Sequence, residues 1–224
     1  MKRLFQADKD IGGCFYINSR INRTYKDRLF VFLFGREERK EWTLELYNAV
    51  NGTHYTDPDD LSFNTLENII YIKMKNDVSF IVGNSIIIYE HQASYNPNMP
   101  LRMLLYLSEL YNKEIRREEE SLYSHSLIRL KQPDFVVFYN GKEKDEDMTI
   151  LKLSDSFVQK EELCIELKVR MININFGHNR DLLMACRPLY EYSYLIEEIR
   201  RNQENCADIE EAADSAIISC LMIL

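Results

Sequence analysis

The sequence predicts a mixed α/β domain, and three observations carry that expectation. Patterns of helical period stand on both sides of a cluster of short β-rich runs. One of those runs turns back on the next through Gly83-Asn84, a pair suited to a two-residue hairpin loop. Glycine (7) and proline (5) are scarce beside 14 tyrosines and 11 phenylalanines, which favours long regular elements over disorder. At 224 residues the chain can bury a sizeable core, as one domain or as one domain with an appendage.

Residues 1–21 lack periodicity and read as an irregular lead-in. Asn22-Arg23-Thr24 offers an N-cap for a helix through YKDRLFVFLF, which Gly35 can end. A second helix runs from about Glu37 to Val50, with Trp42, Leu46, Tyr47 and Val50 on one face; Asn51-Gly52 stops it. After the turn-rich DPDD come three β-rich runs, NIIYIKM (68–74), DVSFIV (77–82) and SIIIYEHQ (85–92). Asn98 can cap, and Pro100 can open, a helix that continues through LRMLLYLSELYNKEIRREEE. Leu101, Leu104, Leu105, Tyr111 and Ile115 fall at helical spacing along it. The strand DFVVFYNG (134–141) follows, so residues 22–141 read as a core of helix, three strands, helix and strand. An extension at 142–205 begins with the acidic loop GKEKDEDM and continues with a strand in CIELKVRMININF. It ends in a helix from Arg180 to Gln203 that Pro188 breaks or kinks. Residues 206–224 form an amphipathic terminal helix. Its Ile209/Ala213/Ala216/Ile217/Cys220/Leu221 stripe calls for cover by the protein body or by a second copy in a homodimer.

The hairpin raises the chemical question, because an acid stands just outside each apolar run. A two-residue loop puts Val82 opposite Ser85, Phe80 opposite Ile87, and Asp77 opposite Glu90. Cβ atoms so paired lie ~4.5–5.5 Å apart on one face. Like charges there are destabilising, and more so beside apolar strands, unless a cation stands between them. Magnesium suits the place: it takes carboxylate oxygens at ~2.1 Å and keeps several waters, one of which can become a nucleophile. Gln92 follows on the Glu90 face, and Lys75 stands opposite it if pairing persists that far. Spacing alone also fits two acids at strand ends in water. The register is what favours a site.

Asp77, the hairpin, Glu90-His91-Gln92 and the following NPNMPLR together resemble the PD-(D/E)XK nuclease superfamily. Within it the chain is most similar to the Rpn-type recombination-promoting nucleases, a transposase-like family. Matching segments span most of the chain: YKDRLF (25–30), LELYNAVNGTHY (44–55), NDVSF (76–80), YEHQASYNPNMPLR (89–102), FVVFYNG (135–141) and ININFGHNRDLL (172–183). The resemblance implies a restriction-endonuclease-like core and a metal-dependent endonuclease that hydrolyses DNA phosphodiesters, with Mg2+ or Mn2+ as cofactor, in recombination or mobile-element chemistry. It makes Asp77 and Glu90 metal ligands and the backbone carbonyl of His91 a third contact. It also makes Asp27 an acid on the first helix that completes the cluster, with Glu45 a second candidate for that place.

Two departures follow from the same comparison. Gln92 stands where the superfamily has lysine; it can orient water but supplies no positive charge to a developing phosphorane. Lys75, Lys26 and Arg102 are the candidates to replace that charge, and Arg102 and Lys26 are also candidate phosphate contacts. Members of the family usually continue past the equivalent of Leu224, so the chain reads as a shortened relative. The rival reading is a catalytically inactive nuclease-fold module that binds nucleic acid or protein.

Other features weigh less. Pro133-Asp134 with Glu166-Leu167-Lys168 spells the superfamily motif more literally, but no register brings the two parts together. Tyr47, Tyr106 and Tyr111 read as core, and His91, on the face opposite Glu90, as packed. A net charge of -8 gives no support to non-specific nucleic-acid binding, though it leaves room for a local basic surface. Five cysteines without a CxxC pair and four histidines without HExxH spacing indicate reduced thiols rather than disulfides or zinc. With no apolar leader and no run of membrane-spanning length, the expected location is the cytoplasm, with no membrane partner.

Overall fold

The computed structural model describes residues 25–63, 77–117, 122–123, 125–159, 162–205 and 209–222. Helix α1 (Tyr25–Phe34) stops at Gly35, whose N–H bonds the Val31 carbonyl at 2.7 Å. A Cβ on Gly35 would lie 2.9 Å from that oxygen and 3.2 Å from Cγ2 of Val78, so this end of α1 meets the next layer only as glycine. A 3-10 turn (Glu37–Arg39) leads into α2 (Lys40–Asn51), closed by Gly52 at φ +63° with its N–H on the Asn48 carbonyl. Both stops are those the sequence predicts.

The strands are β1 (Leu61–Phe63), β2 (Asp77–Val82), β3 (Ser85–Gln92), β4 (Gln132–Tyr139), β5 (Met148–Lys152) and β6 (Lys168–Asn173). They form one mixed sheet in the order β1-β2-β3-β4-β6-β5. β2 and β3 are the antiparallel hairpin; β3, β4 and β6 run parallel to one another; β1 and β5 close the edges antiparallel. Helix α3 (Met99–Arg117) makes the crossover from β3 to β4. Helices α4 (Arg180–Ala185), α5 (Arg187–Asn205) and α6 (Ile209–Met222) complete the chain. The fold is mixed α/β.

Alternation along the strands splits the interior in two. Val78, Phe80, Val82, Ile87, Tyr89, Val136 and Phe138 point to a first face, covered by α1, α2, α5 and α6. Ile86, Ile88, Phe135, Val137, Tyr139, Val169 and Met171 point to a second face, covered by α3. Residues 142–205 enter the same sheet with two strands and cover the first face with α5, so they share one interior with the preceding part of the chain.

Several expectations need correction. The run expected as a strand at 68–74 lies outside the described residues, and β2 is paired instead with Leu61–Phe63, a strand too short to leave a periodic signal. The acidic stretch is a loop that ends in β5, an edge strand whose Met148 and Ile150 are half exposed. On α3 the buried positions are Met99, Met103, Tyr106 and Leu110, whereas Leu101 and Leu105 face solvent. The apolar stripe there is wide enough that spacing alone cannot choose its centre. The stretch over 180–203 is broken beside Pro188, as expected, into two helices. Cys186 between them is extended (φ -127°, ψ 98°), and Pro188 sits in the first turn of α5, where its missing N–H costs nothing. The carboxylate of Glu45 accepts from the Arg187 N–H at 2.6 Å, so this acid serves a helix start rather than an acidic cluster.

Helix α6 lies back along α5, with Ala212 and Ala216 fully buried and Ala213 and Ile217 packed beside them. Asn202 Nδ2 donates to the Ala212 carbonyl at 3.2 Å. The protein body thus covers the described part of the predicted stripe. Ala216→Asp places a carboxylate where no solvent reaches, and is expected to cost roughly 2–4 kcal/mol in urea unfolding. A midpoint equal to that of the unmodified chain would show that α6 does not hold this position in solution.

Candidate functional site

The hairpin sets the site. Gly83 has φ +55° while Asn84 stays out of the positive region, the φ pattern of a II′ turn. The register is the predicted one throughout, from Val82↔Ser85 to Asp77↔Glu90. The Asn140 N–H bonds the Gln92 carbonyl at 2.8 Å, so the even-numbered residues of β3 turn their backbone groups to β4. Glu90 therefore faces Asp77 across a non-hydrogen-bonded pair, the type in which opposing side chains come closest. By the same alternation the His91 carbonyl is directed to the β2 side, where Asp77 stands. The structure describes Asp77 in its backbone, and Lys75 lies outside the described residues.

Glu90 is 1% exposed, so its charge needs an answer. Arg102, one turn into α3, supplies one: its Nη2 lies 2.7 Å from Glu90 Oε1. Gln92 Nε2 donates to the same oxygen. The local sequence delivers Arg102 there. Asn98 N–H bonds the Asn96 side chain at 3.0 Å in a tight turn, and the Asn98 carbonyl then accepts the Arg102 N–H at 3.1 Å. Tyr106, one turn further, fixes the guanidinium by accepting from Nη2 at 2.8 Å and Nε at 3.1 Å. Arg102 keeps a third of its side chain in solvent, and its Nη1 lies 3.5 Å from Met99 Sδ.

The residues on the other face form a separate unit. His91 Nδ1 lies 2.7 Å from Asp27 Oδ1, and its Nε2 lies 2.8 Å from the Tyr192 hydroxyl. A carboxylate can only accept, so Nδ1 carries the proton and Nε2 accepts from Tyr192. Burial lowers the His91 pKa from its ordinary value, against the raising effect of Asp27, and raises that of Tyr192 well above normal. The structure thus separates Asp27 from Glu90 and Gln92. The expectation that it completes their cluster is corrected, because period-2 alternation sends His91 and its partner to the opposite side of the sheet. Tyr192, Asn140 and Arg200 were not legible as site neighbours, since each meets its partners only across long sequence separations.

Lys26 stands near Arg200 and Lys142. Burial first, then those two cations, lower its pKa to about 8, with Asp27 opposing. The literal motif comes apart, as expected: Asp134 pairs with Arg170 at 2.6 Å, whereas Glu166 accepts from Ser154 Oγ at 2.7 Å and from two backbone amides. Tyr47 and Tyr106 are core residues.

Among the described residues no group of three or more His, Cys, Asp and Glu side chains could hold a metal ion. A magnesium site commonly takes only one or two carboxylates and fills the remainder with water. The donors the sequence proposes, the carboxylates of Asp77 and Glu90 and the His91 carbonyl, are all oxygen, a chemistry that suits magnesium or manganese. Among the described residues no helix is long and apolar enough to cross a membrane. Compared with known proteins, the chain matches no family model, and no curated protein or solved structure shows significant similarity to it.

Proposed function

We propose that the chain is a metal-dependent endonuclease of the PD-(D/E)XK kind, related to the Rpn-type recombination-promoting nucleases and acting on DNA phosphodiesters. The observation that carries the reading is the non-hydrogen-bonded Asp77↔Glu90 pair, with Glu90 buried to 1% and flanked by Gln92 and Arg102. Asp77, Glu90 and the His91 carbonyl would hold Mg2+ or Mn2+. Bound there, such an ion supplies Lewis-acid polarisation of a phosphate and a water of lowered pKa. Gln92 fixes the Glu90 carboxylate by its amide N–H and leaves its own carbonyl oxygen to orient water. Arg102 brings to the site the positive charge that Gln92 lacks, held in place by Tyr106 and a third exposed to solvent.

The test is nicking of supercoiled plasmid by the full chain in magnesium or manganese, against a chelator control. Metal-dependent nicking supports the reading, and none in either metal overturns it. The second reading, a silent module that keeps the fold to bind nucleic acid or protein, draws on the same ion pair. Arg102 already neutralises Glu90, which such a module would need and a metal site would have to share.

A further inference from the structure

Strand β5 has β6 on one side and, among the described residues, no strand on the other. Its bonds to β6 run through odd-numbered residues. The Asp147 carbonyl accepts from the Asn173 N–H, and the Leu153 N–H donates to the Leu167 carbonyl, each at 2.9 Å. By antiparallel alternation the backbone groups of Met148, Ile150 and Lys152 point away from β6, where no described backbone group meets them. The strand, MTILK, holds no proline and no charge before Lys152, and its ladder to β6 runs without a bulge. The usual protections of an edge strand are thus missing from its middle. Met148 is 56% exposed and Ile150 40%.

The charges at the two ends of this edge differ in sign. Before the strand, Asp145 and Asp147 are engaged by His178, whereas Glu146 is exposed and has no cationic partner among the described residues. At the other end Lys152 stands opposite Lys168 in the ladder. Both are exposed, neither has a carboxylate among the described residues, and like charges so opposed are destabilising. One end lacks a cation and the other lacks an anion.

We propose that β5 pairs antiparallel with β5 of a second copy, joining two six-strand sheets across a two-fold axis. Such an axis requires opposed residues of equal parity, and one register satisfies all these groups. With Thr149 opposite itself, Met148 faces the partner's Ile150 and Glu146 faces the partner's Lys152, each twice by symmetry. The outward groups of Met148 and Ile150 then exchange backbone bonds, and each Lys152–Lys168 pair gains the carboxylate it lacks. Setting Ile150 opposite itself instead would place Met148 against Lys152 and leave Glu146 beside Ser154. The complementary charges select a second copy over a foreign strand. So small a contact points to a weak dimer, dissociating in the micromolar range. The parallel strands of the two copies run in opposite directions, which leaves the two candidate sites at opposite ends of the joined sheet. The dimer therefore does not rest on the nuclease reading.

The experiment is sedimentation equilibrium of the full chain up to about 200 μM, where a monomer–dimer equilibrium is expected. Ile150→Pro removes an outward N–H and leaves the ladder to β6 in place, so it should give monomer throughout. Glu146→Lys and Lys152→Glu should each weaken the dimer about tenfold, and the two together should restore it. If Ile150→Pro fails to fold by circular dichroism, the charge exchange carries the test. Monomer at every concentration overturns the proposal, as does growth beyond the dimer. A dimer that persists in folded Ile150→Pro, or a double variant as weak as the single ones, overturns it too.

Discussion

Alanine at Asp77 or at Glu90 is expected to abolish metal-dependent plasmid nicking, with a loss of at least about 100-fold. The magnitude follows from the several kcal/mol that metal-ion charge stabilisation contributes, at tenfold per 1.36 kcal/mol. The fold should survive both changes. Asp77→Ala relieves a like-charge pair, and Glu90→Ala leaves Arg102 a partner short but a third exposed, so water can take up the slack. Urea unfolding and circular dichroism check that. Glu90→Gln separates charge from shape, because it keeps an acceptor for Arg102 while losing the anion. Gln92→Lys should raise the rate or leave it unchanged, since it adds a cation where nucleases of the proposed kind have lysine. Nicking that persists in both alanine variants, or in excess EDTA, would leave the acid pair without a catalytic role.

His91→Ala should destabilise the protein by at least about 3 kcal/mol. A buried ring is lost, and so are two hydrogen bonds worth about 1 kcal/mol each, while Tyr192 keeps a hydroxyl that is sealed from water. The same residue sets an acid limit. Its folded-state pKa is lowered from 6.5, so below that value the unfolded chain takes up a proton that the folded chain refuses. Stability is therefore undiminished above 6.5 and falls as the pH drops through it toward the lower folded-state value. Urea midpoints between pH 7.5 and 5 should show the decline, with a shallower one in His91→Gln. A variant with the same slope as the unmodified chain would shift the effect to other groups.

What could be read from the sequence follows the range over which each signal acts. The hairpin, its turn and its register are written within one short stretch, and the structure repeats them residue for residue. The same holds for Gly52, whose left-handed conformation ends α2 where Asn51-Gly52 indicates. The centre of the buried stripe on α3 was not legible, because Leu101 and Met103 are equally apolar and only the sheet behind them decides between them. Asp27 failed for a related reason. An acid on a helix carries no sign of which sheet face it will meet, and here that choice is fixed by a histidine 64 residues further on. Arg102 was visible as a candidate cation, but its engagement with Glu90 depends on the packing of α3 against β3.

The two-residue turn between β2 and β3 also orders events in time. A hairpin of that kind closes within ~1–10 μs, whereas β4 can join β3 only after α3 and the chain beyond it have closed a much longer loop. Asp77 and Glu90 thus meet before Arg102 arrives with its helix, and their repulsion acts on the path into the native state more than on that state itself. Asp77→Asn should then steepen the approach: in stopped-flow measurements the folding limb of the chevron rises while the unfolding limb stays in place. A change confined to unfolding would mean that α3 docks first and that the two carboxylates never face each other without their arginine.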